Sequence, residues 1–423
     1  MFQKGRIFLV SALIITILAS CGVPPENPIT PNPDVRPVTP VSLSELPPAS
    51  IIRHPEPAVY KWNNAYTTLP KYDPNSTKPF QIDLRSSYLV KLDLTKNITE
   101  LLHSDFDSQT KWPPVDKLPS EFDVQKIMDL GKDPGLGVRF LHQKGITGAG
   151  VGIAILDQPL LVEHQEYAAQ LKFYEEINIE SAVESQMHGP AVASIAVGKT
   201  VGVAPGADLY FIANRPGTLE SGSFEYDFSY LAQAIRRTLE INRSLPADRK
   251  IRVISMSIGW TSDQKGFDDI TAAVNEAKAA GIFVISTSIS ETYGLKFHGL
   301  GRSSLSDPND FQSYGPGSWW QNGFYKNGLA PDTLLVPMDA RTTASPTGSE
   351  DFVFYSDGGW SWCVPYLAGM YALAWQVKPG ITPEEFWTTA LHTGQTIQEQ
   401  HGFRRYSLGV ILDPQALIAE LQK

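Results

Sequence analysis

Three short segments, far apart in the chain, each place a reactive side chain beside an apolar strand or helix. The apolar run 153–156 ends at Asp157, and His188 begins a run of small residues. Ser361 stands four residues before Pro365, at the start of an apolar stretch. In α/β folds, side chains at the carboxyl ends of strands gather along one edge of the sheet. Asp, His and Ser in this order form one of the known chain orders of the acyl-transfer triad.

The chemistry of acyl transfer explains these residue types. A serine hydroxyl is a poor nucleophile until a neighbouring base takes its proton, and histidine suits this task because its ordinary pKa is about 6.5. A carboxylate on the other ring nitrogen fixes the tautomer and stabilises the imidazolium. We therefore predict Ser361 as the nucleophile, His188 as the general base and then acid, and Asp157 as the orienting carboxylate.

From Leu141 onward the chain alternates between strand-like and helix-like segments. Such alternation predicts a mainly parallel sheet covered by helices, an α/β fold. The predicted strands are 151–156, 209–212, 251–258 and 282–286, and the predicted helices are 228–242, 268–280 and 364–377.

The three segments, together with the turn at 201–207, resemble those of the subtilisin-like serine proteases, or subtilases. The resemblance covers roughly residues 130–423. It implies a subtilisin-like catalytic domain at 131–423 that cleaves polypeptides as a serine endopeptidase, through an acyl-enzyme intermediate.

Residues 255–259 resemble the family's substrate-binding strand. The resemblance implies that Ser257, Ile258 and Gly259 pair with an extended peptide by strand addition. An ordinary central strand is the alternative interpretation.

The largest departure from the family pattern follows Gly281, where relatives carry an asparagine that donates a hydrogen bond to the tetrahedral intermediate. Aligned on Gly281, Ser290 takes the place of this oxyanion donor, and Ile289 takes the place of a glycine beside the substrate side chain. A register shift of one or two residues brings the hydroxyls at 286–288 close to the same place. Loss of this donor costs about 10²–10³ in kcat, a figure measured in a subtilisin.

Two tryptophans flank the predicted nucleophile where relatives have small residues. They are Trp360 and Trp362. With Ile289, their bulk predicts a shallow first pocket that accepts small side chains such as Ala, Ser or Gly.

The N-terminus has the pattern of an export and anchoring segment. Residues 1–21 combine an early positive charge with a short apolar run, as signal peptides do. Residues 18–21 resemble a bacterial lipobox, which implies cleavage before Cys21 and a lipid anchor in the cell envelope, outside the cytoplasm. An ordinary signal peptide with an incidental cysteine is the alternative. Eleven prolines in residues 22–60 predict an extended tether.

Residues 61–130 form an N-terminal extension. Alternating apolar and polar residues predict strands at 80–84 and 88–94, and a short helix is predicted at 124–130. Many subtilases carry a cleaved propeptide at this place in the chain. Cleavage here would release the catalytic domain from its anchor, so a retained extension is favoured.

Charge excludes some partners. The 423 residues carry a net charge of −10 without a basic stripe, which argues against nucleic acid. No redox cofactor is implied. Calcium is common in the family, but the sequence names no ligand set for a metal.

Two rivals to an active protease remain open. The altered oxyanion segment is also compatible with a pseudoprotease that binds peptides or an envelope partner without cutting. A protease that acts only on its own chain is the third possibility.

Overall fold

The computed structural model describes residues 50–60, 66–74, 76, 78–179, 183–220 and 223–423. The predicted signal segment, Cys21 and most of the predicted tether lie outside these residues. The α-helices are α1 (Ile98–Leu102), α2 (Val124–Lys132), α3 (Val138–Gln143), α4 (His188–Val197), α5 (Ser229–Ser244), α6 (Phe267–Ala279), α7 (Ile289–Tyr293), α8 (Gln321–Asn327), α9 (Trp360–Val377), α10 (Pro383–Thr393) and α11 (Pro414–Leu421). The strands are β1 (Ser50–Ile51), β2 (Ile82–Asp83), β3 (Ser104–Asp107), β4 (Gly152–Asp157), β5 (Leu171–Ile177), β6 (Asp208–Asn214), β7 (Gly217–Glu220), β8 (Ser223–Tyr226), β9 (Ile251–Met256), β10 (Phe283–Ser286), β11 (Lys296–Arg302), β12 (Tyr314–Pro316), β13 (Thr333–Pro337), β14 (Arg341–Ala344), β15 (Phe352–Tyr355), β16 (Gln395–His401) and β17 (Arg404–Ile411).

A six-stranded parallel sheet forms the centre of the fold, in the order β1-β5-β6-β4-β9-β10. Successive side chains of a strand point to opposite faces of its sheet. In β4, Ile153 and Ile155 join the core that includes α4 and α9, while Ala154 and Leu156 join the core that includes α5 and α6. The sheet is thus covered by helices on both faces, and the predicted α/β fold is confirmed.

The predicted elements of this domain correspond to observed ones, with ends that differ by a few residues. The four predicted strands are β4, β6, β9 and β10, and the three predicted helices are α5, α6 and α9. The predicted helix at 124–130 is α2. Two smaller sheets, β12-β11-β13-β17-β16 and the β7-β8 hairpin, lie outside the central sheet.

The N-terminal extension contributes strands to a sheet of the catalytic domain. The order of this sheet is β14-β15-β3-β2, so that β3 pairs directly with β15. Phe106 of β3 packs against Trp112, Phe122 and Phe354, with ring centroids 5.1–6.2 Å apart. The extension and the catalytic domain therefore share one hydrophobic core.

Two predicted strands of the extension differ from the structure. The strand predicted at 80–84 is limited to the two residues of β2, and the strand predicted at 88–94 is wrong. Leu92 donates its N–H to the Leu89 carbonyl in a turn, instead of forming the hydrogen bonds that would join it to a neighbouring strand.

Residues 50–60, the last part of the predicted tether, are docked on the domain and are not extended away from it. β1 pairs in parallel with β5, and Arg53 forms an ion pair with Glu176 at 2.6 Å. Ser185 donates its N–H to the Glu56 carbonyl, 2.9 Å away. An open sheet edge offers such backbone partners, which composition alone does not reveal.

Within the described residues, no helix has the length and apolar character that crossing a membrane requires.

Candidate active site

Asp157 is the last residue of β4, at the carboxyl edge of the central sheet. Its Oδ1 lies 2.7 Å from His188 Nδ1 and accepts the N–H of Gln158 at 2.8 Å. Both side chains are nearly buried, with 6% of Asp157 and 11% of His188 exposed. Water therefore competes little for this bond. The proline at 159, two residues after the acid, does not turn the carboxylate away from His188.

His188 is the first residue of α4, where a backbone N–H has no partner within the helix. The side chain of Gln158 supplies one, because its Oε1 accepts the His188 N–H at 3.2 Å. The close approach also explains Gly189, where a Cβ atom would collide with the Gln158 carbonyl oxygen. Gln158 thus contacts both the Asp157 carboxylate and the backbone of His188.

The other side of the imidazole is covered by Trp362. The two rings are 5.5 Å apart between centroids, and Trp362 packs edge-on against Tyr355 behind it. His188 Nε2 is buried and has no hydrogen-bond partner among the described residues. The nitrogen that would accept the nucleophile's proton is therefore shielded in this conformation.

Ser361 lies in the first turn of α9 and is paired with Ser257. A proline four residues downstream, Pro365, lacks the N–H that would bond the Ser361 carbonyl. The Ser257 hydroxyl takes this place, donating to the Ser361 carbonyl oxygen at 2.9 Å. In return the Ser361 hydroxyl donates to the Ser257 carbonyl oxygen at 3.3 Å. The structure joins Asp157 with His188, but it does not join Ser361 with His188.

The segment predicted to bind substrate continues from the end of β9. Ile258 and Gly259 are half-buried and Ser257 is buried. The Ile258 carbonyl accepts the N–H of Thr287 at 3.1 Å, and a Cβ atom on Gly259 would collide with the Thr287 hydroxyl. The Ser257–Gly259 segment is therefore packed against the chain that follows β10.

Trp260 extends this contact by one residue. Its N–H donates to the Ser288 hydroxyl at 2.8 Å, and the same hydroxyl donates back to the Trp260 carbonyl at 2.9 Å. Trp260 is 3% exposed and Ser288 is 4% exposed. Two hydrogen bonds thus close the space between the segments that follow β9 and β10.

Ser290 and Ile289 lie in α7, beyond this contact. Ser290 is exposed, and its hydroxyl donates to Glu291 at 2.6 Å. Ile289 is 1% exposed and belongs to the main hydrophobic core. Neither forms a hydrogen bond with the three predicted triad residues in the part of the chain that the structure describes. In a strand of this length, the hydroxyls nearest the strand end are at 286–288 and not at 290.

Trp360 belongs to an aromatic cluster with His298 and Trp320. His298 stacks on Trp320 at a centroid distance of 4.5 Å and contacts Trp360 at 5.4 Å. Burial lowers the pKa of His298 to about 4, so its imidazole is neutral near pH 7. The Trp360 side chain, which was predicted to add bulk beside the nucleophile, is therefore packed against the domain.

Two carboxyl groups lie under the loop that precedes Ser361. Asp339 accepts the N–H of Gly358 at 2.7 Å and that of Ser318 at 2.8 Å. Burial, and then the charge of Asp357, raise the pKa of Asp339 to about 7. Burial also raises the pKa of Asp357. Within the described residues, no three His, Cys, Asp or Glu side chains cluster as a metal would require.

Three features of this site are not evident from the sequence. Gln158 directly follows the predicted acid, but nothing in the sequence indicates that it bonds His188, and Trp362 was predicted only to narrow the first pocket. The pairing of Ser257 with Ser361 had one available signal, the proline four residues after the serine, which leaves a helix carbonyl without its usual donor.

Parts of the chain are similar to known proteases. The family model described as the subtilase family matches residues 148–315. An extracellular serine proteinase of Thermus sp. (strain Rt41A) is 26% identical over 250 residues, which cover 58% of this chain and 55% of that protein. The subtilisin-like protease PopC of Myxococcus xanthus (strain DK1622) is 27% identical over 135 residues, 29% of this chain and 28% of that protein.

The chain thus spans about half the length of one relative and just over a quarter of the other. A solved structure, that of the prenylagaramide maturation protease PagA, aligns with a TM-score of 0.47 and 17% identity, covering 67% of this chain and 98% of that one. Residues 148–315 thus match the subtilase family, and the two curated relatives, both named as proteases, support a subtilase.

Proposed function

We propose that the protein is a serine endopeptidase that cleaves extracytoplasmic proteins or peptides through an acyl-enzyme intermediate. Ser361 attacks the peptide carbonyl, and His188 takes its proton and later gives it to the leaving amine. Asp157 holds the imidazole in the tautomer that presents Nε2 to the serine. The observation that carries the proposal is the 2.7 Å contact between Asp157 and His188 at the edge of a parallel sheet.

Attack requires the Ser361 hydroxyl to leave the Ser257 carbonyl. A serine side chain has three staggered rotamers, so a rotation about χ1 is enough to redirect the hydroxyl. Catalytic hydrogen bonds are often long in the absence of substrate and shorten in the complex. A peptide that pairs with residues 257–259 competes for the same Ser257 carbonyl and thereby favours the rotated state.

The oxyanion would be stabilised at the start of α9. The N–H groups of a first helical turn lack intrahelical partners and carry a partial positive charge. For the side-chain donor, the geometry favours Thr287 over Ser290. Ser290 donates its hydroxyl to Glu291 and Ser288 donates its hydroxyl to the Trp260 carbonyl, while Ser286 is fully buried and Thr287 is half-buried.

We further propose that the protein is anchored outside the cytoplasm by a lipid on Cys21. The lipobox-like segment motivates the anchor, and one curated relative is an extracellular proteinase. The Cys21→Ala variant should lose lipid labelling and leave the membrane fraction. Cys363 is fully buried, and Cys363→Ala, the matched control, should keep both. Labelling that is equal in the two variants would exclude the anchor.

The rival candidate is a pseudoprotease that binds peptides. The shielded Nε2 of His188 and the pairing of Ser361 with Ser257 favour it. The two candidates differ in turnover. The purified full-length protein is incubated with a peptide library, and cleavage is followed by mass spectrometry. Cleavage that disappears in Ser361→Ala supports the protease, while binding by calorimetry without cleavage supports the rival.

A further inference from the structure

The loop between β15 and α9, residues 356–359, is called the nucleophile loop here because it leads directly into Ser361. Two carboxyl groups hold its backbone. The N–H of Ser356 donates to Asp105 Oδ1 at 2.8 Å, and the N–H of Gly358 donates to Asp339 at 2.7 Å. Asp339 belongs to the catalytic domain, whereas Asp105 lies on β3 of the N-terminal extension.

The loop also bonds the extension in the opposite direction. The N–H of Phe80 donates to Asp357 Oδ2 at 3.0 Å. Phe80 precedes β2 and Asp105 lies within β3, which pairs with β15 immediately before the loop. The extension therefore contacts the nucleophile loop at two points and supports the strand from which it emerges.

Asp105 and Asp107 differ in the hydrogen-bond partners of their carboxylates. Both are 2% exposed on the same short strand. The Asp107 carboxylate accepts hydrogen bonds from Ser86, Gln109 and Thr110, all within the extension. Asp105 instead faces the catalytic domain, where its hydrogen bond is to Ser356. Burial raises the pKa of Asp105, so this acceptor is kept at a cost in desolvation.

We infer that Asp105 is a positioning residue for the nucleophile, so that the N-terminal extension is a permanent part of the active site. The inference rests on the proposed function for its catalytic consequence. Asp105 holds the backbone of Ser356 in place. This contact sets the position of the first turn of α9, and hence the position of the Ser361 hydroxyl. A displacement of about 1 Å at a reacting group can cost a hundredfold in rate.

The test uses the full chain and four variants. Asp105→Asn keeps a carbonyl acceptor, Asp105→Ala removes it, and Asp105→Leu removes it while filling the volume. Asp107→Ala is the control for loss of a buried carboxylate on the same strand. Two quantities are measured on folded protein: the rate at which a fluorophosphonate labels the serine, and deuterium exchange of the peptide that contains residues 352–361.

The expected result is a labelling rate at least about tenfold lower in Asp105→Ala and Asp105→Leu, with faster exchange in the loop. Asp105→Asn should stay close to wild type in both measurements. Asp107→Ala should label at the wild-type rate even where its melting temperature falls. Equal labelling and equal loop exchange in the Asp105 and Asp107 variants would overturn the inference.

Failure of the proposed function gives a different result. If the folded wild type is not labelled, the protease assignment fails, and exchange at the loop still decides whether Asp105 holds it. Loop exchange in Asp105→Leu that matches wild type would then reject the positioning role. Loop exchange that is faster in Asp105→Leu than in wild type would show that Asp105 holds the loop in place, even without catalysis.

Discussion

Ser257 and Ser361 exchange two hydrogen bonds, one from each hydroxyl to the other residue's carbonyl oxygen, at 2.9 and 3.3 Å. The first bond compensates for the N–H that Pro365 lacks. The pair connects the segment predicted to bind substrate with the helix that carries the nucleophile. We therefore expect that a peptide bound to this segment would displace the Ser361 hydroxyl from the Ser257 carbonyl.

The Ser257→Ala variant should be less stable than the wild type and should cleave peptides more slowly. Removing the hydroxyl leaves the Ser361 carbonyl without a donor, which costs about 1–3 kcal/mol for a buried group. Ser255 is a matched control because its hydroxyl, two residues earlier in β9, is buried without a partner in the described chain. Urea unfolding should show the loss for Ser257→Ala and little change for Ser255→Ala. Equal losses would show that the Ser257 bond does not matter.

The oxyanion donor is predicted to be Thr287. Thr287→Val removes the hydroxyl at nearly constant volume and should lower kcat by about tenfold or more, with little change in KM, because the bond forms mainly in the transition state. Ser290→Ala, the control, should leave turnover unchanged since that hydroxyl is exposed and bonded to Glu291. The reverse pattern would restore the alignment that places Ser290 in this role.

Specificity should favour small side chains next to the cleaved bond. The hydrogen bonds between Trp260 and Ser288 close the space beside residues 257–259, so a large side chain has no room there. A peptide-library profile should be dominated by Gly, Ala or Ser at this position. Strong cleavage after Leu or aromatic residues would rule out a closed pocket.

A rise in pH from about 4 to about 7 should weaken the fold through Asp339. Its pKa is about 7 in the folded protein against an ordinary 3.8, so the folded state keeps a proton that the unfolded chain releases. The stabilisation is complete below about pH 4 and is lost as the pH rises through about 7, at about 1.4 kcal/mol per unit of pKa difference.

Asp357→Asn tests this dependence. It removes the charge that helps to raise the pKa of Asp339, and it keeps an oxygen for the Phe80 N–H. Melting temperatures between pH 5 and pH 8 should fall less steeply than in wild type. The exposed control Asp116→Asn should follow wild type, and parallel curves for all three proteins would contradict the prediction.

The sequence predicts four of the six central strands, β4, β6, β9 and β10, because both faces of these strands are largely buried. It does not predict β1 and β5, which are more exposed. Runs such as 153–156 are apolar throughout, as is typical of strands in a covered parallel sheet. The extension was harder to predict, since Val90, Leu92 and Leu94 alternate with polar residues as in a strand although the segment forms turns. Its strands depend on a partner, β15, that lies more than two hundred residues away in the chain.

The residues of the candidate active site also differ in how well the sequence predicts their positions. Asp157 and His188 follow from local segments that end a strand and begin a helix. The position of Ser290 was inferred from spacing alone, and spacing does not reveal that α7 starts at Ile289. Contacts between distant segments, such as Gln158 with His188 or Asp105 with Ser356, have no local signature.

The most direct measurement is fluorophosphonate labelling of the folded full-length protein, with the modified residue mapped by mass spectrometry. The account predicts a single adduct on Ser361, absent in Ser361→Ala and at least about a hundredfold slower in His188→Ala, where the general base is missing. A folded wild-type protein that binds peptides but carries no adduct would contradict the assignment of Ser361, His188 and Asp157 as a working triad.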